Sequence, residues 1–333
     1  MFTRAVGAAL LAALASGPAP ALAQQGITVL DEAQDATPSP CGARPITIAR
    51  MQWPSAAILA EIHARLLATQ LDCDARVTPA DMATTGSSMA STGQPAVAPE
   101  LWVTRIANVW NEAMASQSVR PAADTFTSEV FEAWYIPDYL ANAQPDLTSA
   151  ESLATASFDT TEPIRFISCP PDWGCSVINR NLLAAYGLTD LFEIVEPANR
   201  LEMDQLIAGA VSRQEPFVAY YWQPNAVLDQ FGFVELDMGA YDEEALQCLA
   251  RVECADPQPS AFAAESVVIA LAEWVFLDAP DVAAYFQRAS LPLAEMNALL
   301  ASLNQAGATP ESIAEQFIAE REEVWRPWVD AGQ

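Results

Sequence analysis

The sequence contains no lysine. All of its positive charge rests on fifteen arginines, set against 43 aspartates and glutamates, for a formal net charge of −28. That balance excludes nucleic acid and anionic membrane surfaces as partners, because both are held through clusters of basic side chains. An acidic shell keeps a protein dissolved in a saline or exported setting and names no ligand by itself. There is one histidine, His63, and no CxxC pair, which excludes the usual His-rich metal centres and His-based triads. The patterns GxSxG, HExxH and the phosphate-binding loop are also missing. No catalytic residue, metal or cofactor is therefore expected, and the chain does not read as an enzyme. His63 stands among small and polar residues and reads as a surface or packing residue. Beyond the first two dozen residues no apolar run reaches the roughly twenty residues needed to span a bilayer.

What is present begins with an address. Arg4, the apolar run VGAALLAALA and the small residues ending at Ala23 have the three regions of a secretory signal peptide, residues 1–23. Residues 24–40 are polar, contain proline and read as a flexible leader. The remainder is long enough for two lobes with substantial cores. Export makes disulfides the expectation for six cysteines, with fifteen connectivities open. Cys169 with Cys175 and Cys248 with Cys254 share one short separation, which leaves Cys41 with Cys73.

Strands and helices alternate along the chain, so the class is α/β. ITIARM reads as a buried strand, and Ser55 is placed to cap a helix on which Ile58, Leu59, Ile62, Leu66 and Leu67 recur at helical spacing. Trp53 and Ser55 then fall at the carboxyl end of a strand, where open α/β sheets bind ligands. Trp102 closes the strand-like AVAPELW, and Trp222 stands at the end of EPFVAYYW. Tyr220 and Tyr221 alternate on that strand, so at most one of them faces a cleft. The run FEAWYIPDYL, with Trp134 and Tyr135, reads as a crossover between lobes. DEEALQCLARVECADPQPS reads as a stapled, hairpin-like insert.

The most informative stretch is CPPDWGCSVINRN, residues 169–181. If its two cysteines pair, a clamped loop presents Trp173 directly before a helix. A helix start attracts an anion through its unpaired N–H groups and its macrodipole. The face of an indole attracts a desolvated cation. Together they suit a small zwitterion with a quaternary or sulfonium head and a carboxylate tail.

From about residue 45 to 330 the chain resembles the substrate-binding proteins of ABC importers for glycine betaine, proline betaine and related osmolytes. The resemblance is carried by MQWPSAAILAEI, ADMATTGSSMASTGQPAVAPELW, AWYIPDYL, CPPDWGC with LAAYGL, and YYWQP. It implies a type II-like periplasmic binding protein fold, with two α/β lobes around a ligand cleft. Lobe one would comprise residues 41–133 and 262–333, and lobe two the inserted residues 134–261, with hinge strands near 131–137 and 257–264. It implies a box of Trp102, Trp173 and Trp222, with the amides of Gly174 and Cys175 on the carboxylate. Trp53, Ser55, Trp134, Tyr135 and Arg105 are further candidates.

The implied role is a periplasmic, monomeric receptor. It would pass a small zwitterionic or cationic osmolyte to an inner-membrane permease with its ATPase. Choline, dimethylsulfoniopropionate, taurine or an amino acid are alternative ligands. A secreted enzyme acting on a quaternary amine is the alternative of another class. The chain departs from the family pattern in two places. Where some members carry a carboxylate-binding histidine it has Ile106, preceded by Arg105. After Trp222-Gln223-Pro224 it has Asn225-Ala226 in place of a further aromatic.

Overall fold

Buried Ile46, Ile48 and Ala49 make the first strand, β1 (Ile46–Arg50), a central one. In the computed structural model, residues 40–129, 131–158 and 163–330 are described. The expected signal peptide and all but the last residue of the leader lie outside them. After β1 come α1 (Pro54–Gln70), β2 (Ala75–Pro79), α2 (Met82–Thr92), β3 (Val97–Trp102), a 3-10 turn (Val103–Ile106), α3 (Ala107–Ala115) and β4 (Val119–Asp124). The chain then leaves this sheet for β5 (Glu132–Pro137), α4 (Asp138–Ala143), β6 (Ile164–Ile167), α5 (Gly174–Ala185), β7 (Phe192–Val195) and α6 (Arg200–Ser212). β8 (Phe217–Trp222), α7 (Ala226–Phe231), β9 (Phe233–Glu235) and α8 (Glu243–Leu249) follow. It returns through β10 (Val267–Ala272) and ends in α9 (Glu273–Asp278), α10 (Pro280–Phe286), α11 (Leu293–Ser302), α12 (Pro310–Glu320) and α13 (Glu322–Val329).

The two sheets share one plan. The first has the order β2-β1-β3-β10-β4 and the second β7-β6-β8-β5-β9. In each, three parallel strands are joined by one antiparallel strand that the chain delivers as it crosses between lobes: β10 beside β3, and β5 beside β8. Each sheet also has its own core. Ile48, Leu66, Ile269, Phe286 and Phe317 belong to one, and Trp134, Phe166, Leu182, Phe217 and Tyr220 to the other. Separate cores are what allow two lobes to move as bodies. The crossing segments hold each other: Thr125 N–H donates to Val267 O at 2.9 Å and Glu265 N–H to Glu129 O at 3.0 Å.

Three local readings change. The run 131–140 is not itself the crossing; from Glu132 it is β5, paired on both sides within the second sheet. The 242–260 insert is not a hairpin. Asp242 accepts from the Ala245 amide, and Glu243 and Glu244 sit in the first turn, so the segment caps and charges a helix, α8. Ser55 does not cap α1. Trp53 occupies that position without a side-chain cap, and Pro54 takes the first helical place, where a missing N–H costs nothing. Disulfides join Cys41 to Cys73, Cys169 to Cys175 and Cys248 to Cys254. No helix among the described residues is long and apolar enough to cross a membrane. His63 is wholly buried, with Nδ1 2.8 Å from the Tyr285 hydroxyl, and Trp325 and Trp328 are core residues as well.

Candidate functional site

Strands β1, β3, β6 and β8 all end toward one cavity of about 810 Å³ between the two sheets. Its wall on the first-sheet side carries Trp53, Ser55, Glu100, Trp102 and Arg105. The second-sheet side contributes Glu132, Trp173, Gly174, Cys175, Tyr220 and Trp222. Parallel α/β sheets leave such a crevice at the carboxyl ends of their strands, where helices begin and side chains from several loops converge.

The disulfide-bonded loop does what its sequence promises locally. Trp173 N–H donates to Pro170 O at 2.9 Å and the Ser176 amide to Trp173 O at 3.1 Å, which turns the chain into α5. Trp173 is the N-cap residue, and α5 has neither a side-chain cap nor an acidic residue in its first turn. Its amino end faces the cavity through Gly174 and Cys175, with the Glu196 carboxylate held beside the first turn by the Ser176 hydroxyl at 2.5 Å. The start of α1, likewise without a side-chain cap, faces it through Pro54 and Ser55.

The rings are held from behind. Trp173 and Trp222 meet edge to face with centroids 5.5 Å apart. Trp222 is stacked on Tyr221 at 4.5 Å, and the Tyr221 hydroxyl donates to Asp204. Tyr220, the neighbour on the same strand, points the other way and lines the cavity; its hydroxyl donates to Glu132 Oε1 at 2.6 Å. On the opposite wall, Glu100 Oε1 accepts from the indole of Trp53 at 2.7 Å, from that of Trp102 at 3.0 Å and from the Ser55 hydroxyl at 3.1 Å.

Arg105 is engaged rather than waiting. Its Nε and Nη2 each donate to Glu265 at 3.1 Å, and the guanidinium lies 4.5 Å from the Trp102 ring centre. Arg200 stands over Trp222 at 5.7 Å. Arginine cations thus already lie over two of the rings, as expected of aromatic faces that favour positive charge. Burial raises the carboxyl of Glu132 above its ordinary range, although Tyr220 donates to it. Burial, and then Glu132, hold the Tyr220 hydroxyl protonated.

Trp134 and Tyr135 are the candidates that do not reach the cavity. β5 runs antiparallel to β8, so its amino end, Glu132 opposite Trp222, faces the cleft and later residues recede from it. Trp134 is fully buried and donates to Asn179 Oδ1 of α5 at 2.9 Å. The Tyr135 hydroxyl donates to Glu235 at 3.1 Å and accepts from Gln223 at 3.0 Å.

Sequence reasoning missed Glu100, Glu132 and Arg200. The one signal for Glu100 is its place two residues before Trp102 in an apolar strand, which puts both side chains on one face. Asn225 and Gln223, which follow Trp222, are tied across the cleft. Asn297 of α11 accepts from the Asn225 amide at 2.6 Å and donates to Gln223 Oε1 at 2.9 Å.

Two sheets of one plan, each with its own core, around a cavity lined from both sides define a periplasmic binding protein fold, the architecture of a solute receptor. The family model for the substrate-binding domain of the ABC-type glycine betaine transport system matches residues 44–320, and the chain belongs to that family. It is accordingly a substrate receptor of an importer and not an enzyme. Among solved structures it is similar to unliganded YehZ from Escherichia coli, at 13% identity and a TM-score of 0.61 over 84% of this chain and 99% of that one. A glycine betaine/carnitine/choline ABC transporter structure is 12% identical over 86% of this chain and 99% of the other, with a TM-score of 0.59. Lactococcal OpuAC, closed on glycine betaine, is 15% identical over 86% and 100%, with a TM-score of 0.52. At these identities the likeness is one of fold.

Proposed function

We propose that this protein is an exported, periplasmic, monomeric receptor. It closes on a betaine-type osmolyte, glycine betaine or a related quaternary ammonium or sulfonium zwitterion, and delivers it to an inner-membrane permease with its ATPase. The observation that carries this reading is one cavity lined by Trp102 from the first sheet and by Trp173 and Trp222 from the second. An onium head desolvated against indole faces gains about 2 kcal/mol per good contact. The acidic tail is taken by the amides of Gly174 and Cys175 at the uncapped start of α5. Lobe two, expected to begin at residue 134, takes in the whole of β5 from Glu132, so lobe one is residues 41–131 and 262–333 and lobe two residues 132–261. The cavity is large for a ligand of about eight heavy atoms, so the lobes close on it. The hinge lies where the crossing segments pair, around Thr125–Val267 and Glu129–Glu265.

A second reading is favoured by Glu100 and Glu132. With two carboxylates in the wall and Arg105 held by Glu265, the site also suits a cation without a carboxylate, such as choline. A thermal-shift panel of glycine betaine, proline betaine, carnitine, choline and dimethylsulfoniopropionate tests both. Stabilisation by one or more of these and none by taurine or amino acids is expected; the reverse pattern overturns the proposal.

A further inference from the structure

Glu100 is an ionisable group that the glycine betaine contacts proposed above do not use, although it is one of the two carboxylates that favour a cation such as choline. It belongs to the cavity wall yet is completely buried. Three donors converge on its Oε1, from Trp53, Ser55 and Trp102, while its buried Oε2 has no hydrogen-bond partner. A buried carboxylate with an unpaired oxygen is costly, and it becomes less so when a cation arrives nearby or when it takes up a proton.

Resting on the onium-binding reading above, we propose that Glu100 couples capture of a cationic head to release of a proton: an onium seated against Trp53 and Trp102 holds the carboxylate behind those two indoles in its charged form. The surrounding charges leave it this role. β10 alongside β3 carries no titratable residue, and β1 on the other side carries only Arg50, which is paired with Glu61 and Glu311. The first two turns of α1, residues 54–60, have none. Arg105, one turn beyond Trp102, is the cation acting on Glu100, and it is bonded to Glu265; Glu132 is the other carboxyl of the wall. Burial raises the Glu100 carboxyl to about 7, outweighing the three donors and Arg105. It therefore changes charge near neutral pH, and a bound cation shifts it to the ionised side. The indoles gain as well, since an anion accepting their N–H groups makes their faces more negative.

The test is calorimetric titration with choline, which does not titrate in this range, at pH 6 and pH 8, for the wild type and Glu100→Gln. The amide keeps an acceptor for the two indoles and removes the charge. The wild type is expected to bind about tenfold more tightly at pH 8 than at pH 6, the change in ionised fraction of a group titrating near 7. The Gln variant is expected to be weaker at pH 8 and to change less than about twofold between the two pH values. Independently of the variant, titration of the wild type at pH 7 in two buffers of different ionisation enthalpy should show release of a fraction of a proton per choline bound. Choline affinity that is constant with pH, or equally pH-dependent in Glu100→Gln, overturns the coupling and leaves the receptor reading standing. Failure of the wild type to bind any onium compound overturns the receptor reading, and this inference with it.

Discussion

Trp173 and Trp222 pack edge to face, with ring planes at 60°. Their support differs. Trp222 lies flat on Tyr221, which is buried and anchored to Asp204, whereas Trp173 stands at a loop tip, 36% exposed.

Trp173→Ala should therefore separate binding from folding. Loss of a desolvated cation–π contact is worth about 2 kcal/mol, roughly thirtyfold in affinity. The melting temperature should fall less than in Trp222→Ala, because Trp173 keeps 36% of its surface in water whereas Trp222 is stacked on buried Tyr221. Trp222→Ala should lower both. Calorimetry and thermal melts on the two variants check this; unchanged affinity in Trp173→Ala contradicts it.

Arg105 and Glu265 make opposite predictions for two ligands. Glu265→Gln weakens the hold on the guanidinium and frees it to meet a ligand carboxylate, so glycine betaine should bind a few-fold more tightly and choline more weakly. Arg105→Ala removes a cation from beside the Trp102 ring and should favour choline over glycine betaine. The ratio of the two dissociation constants is the measurement. A ratio that moves the same way in both variants contradicts the assignment.

Asn297 bridges the lobes through the Asn225 amide and the Gln223 side chain, and Asn225 and Asn297 are both buried. Asn297→Ala leaves those partners unpaired and should cost about 1–3 kcal/mol in denaturant unfolding. A cost below 0.5 kcal/mol, on the order of an exposed substitution, contradicts a structural bridge.

Two buried groups give pH slopes of opposite sign. Burial lowers the His63 imidazole from 6.5 to about 3. Its unfolded form binds the proton that the native form refuses, so stability is lost as pH falls from 6.5 toward 3. Glu100 is raised from 4.5 to about 7, so its contribution is present below 4.5 and lost as pH rises through 7. Each slope is on the order of 1.4 kcal/mol per pH unit, and between 4.5 and 6.5 they oppose one another. Urea unfolding across pH checks the signs. The stability of the wild type relative to Glu100→Gln should fall as pH rises through this window, and relative to His63→Gln it should climb. Matching signs contradict the account.

Much of this was legible in the sequence for physical reasons. Apolar strands and helical spacing specify the α/β class, and the division into two lobes is what the family resemblance implies. The 169–181 stretch carries its own clamp, turn and helix start, so Trp173, Gly174 and Cys175 could be placed from local chemistry. Trp134 and Tyr135 were misplaced because nothing within FEAWYIP says which end faces the cleft; its partner β8 decides that from more than eighty residues away. Glu100 has only one local signal, its place two residues before Trp102, for the same reason. One carboxyl among 43 becomes special only when Trp53 and Ser55, 47 and 45 residues earlier, fold over it. The helix at 243–249 is encoded by Asp242 as its cap and two glutamates in its first turn, inside a segment that the Cys248–Cys254 disulfide also staples.

The central claim is that indoles from both lobes grip a methylated cation. Its most direct test is calorimetric titration with glycine betaine beside 3,3-dimethylbutanoate, the same shape and carboxylate with carbon in place of the charged nitrogen. The account predicts micromolar binding of the betaine and at least a hundredfold weaker binding of the carbon analogue, the equivalent of about 3 kcal/mol of cation–π attraction. Equal affinity for the two, or heat from neither, contradicts it.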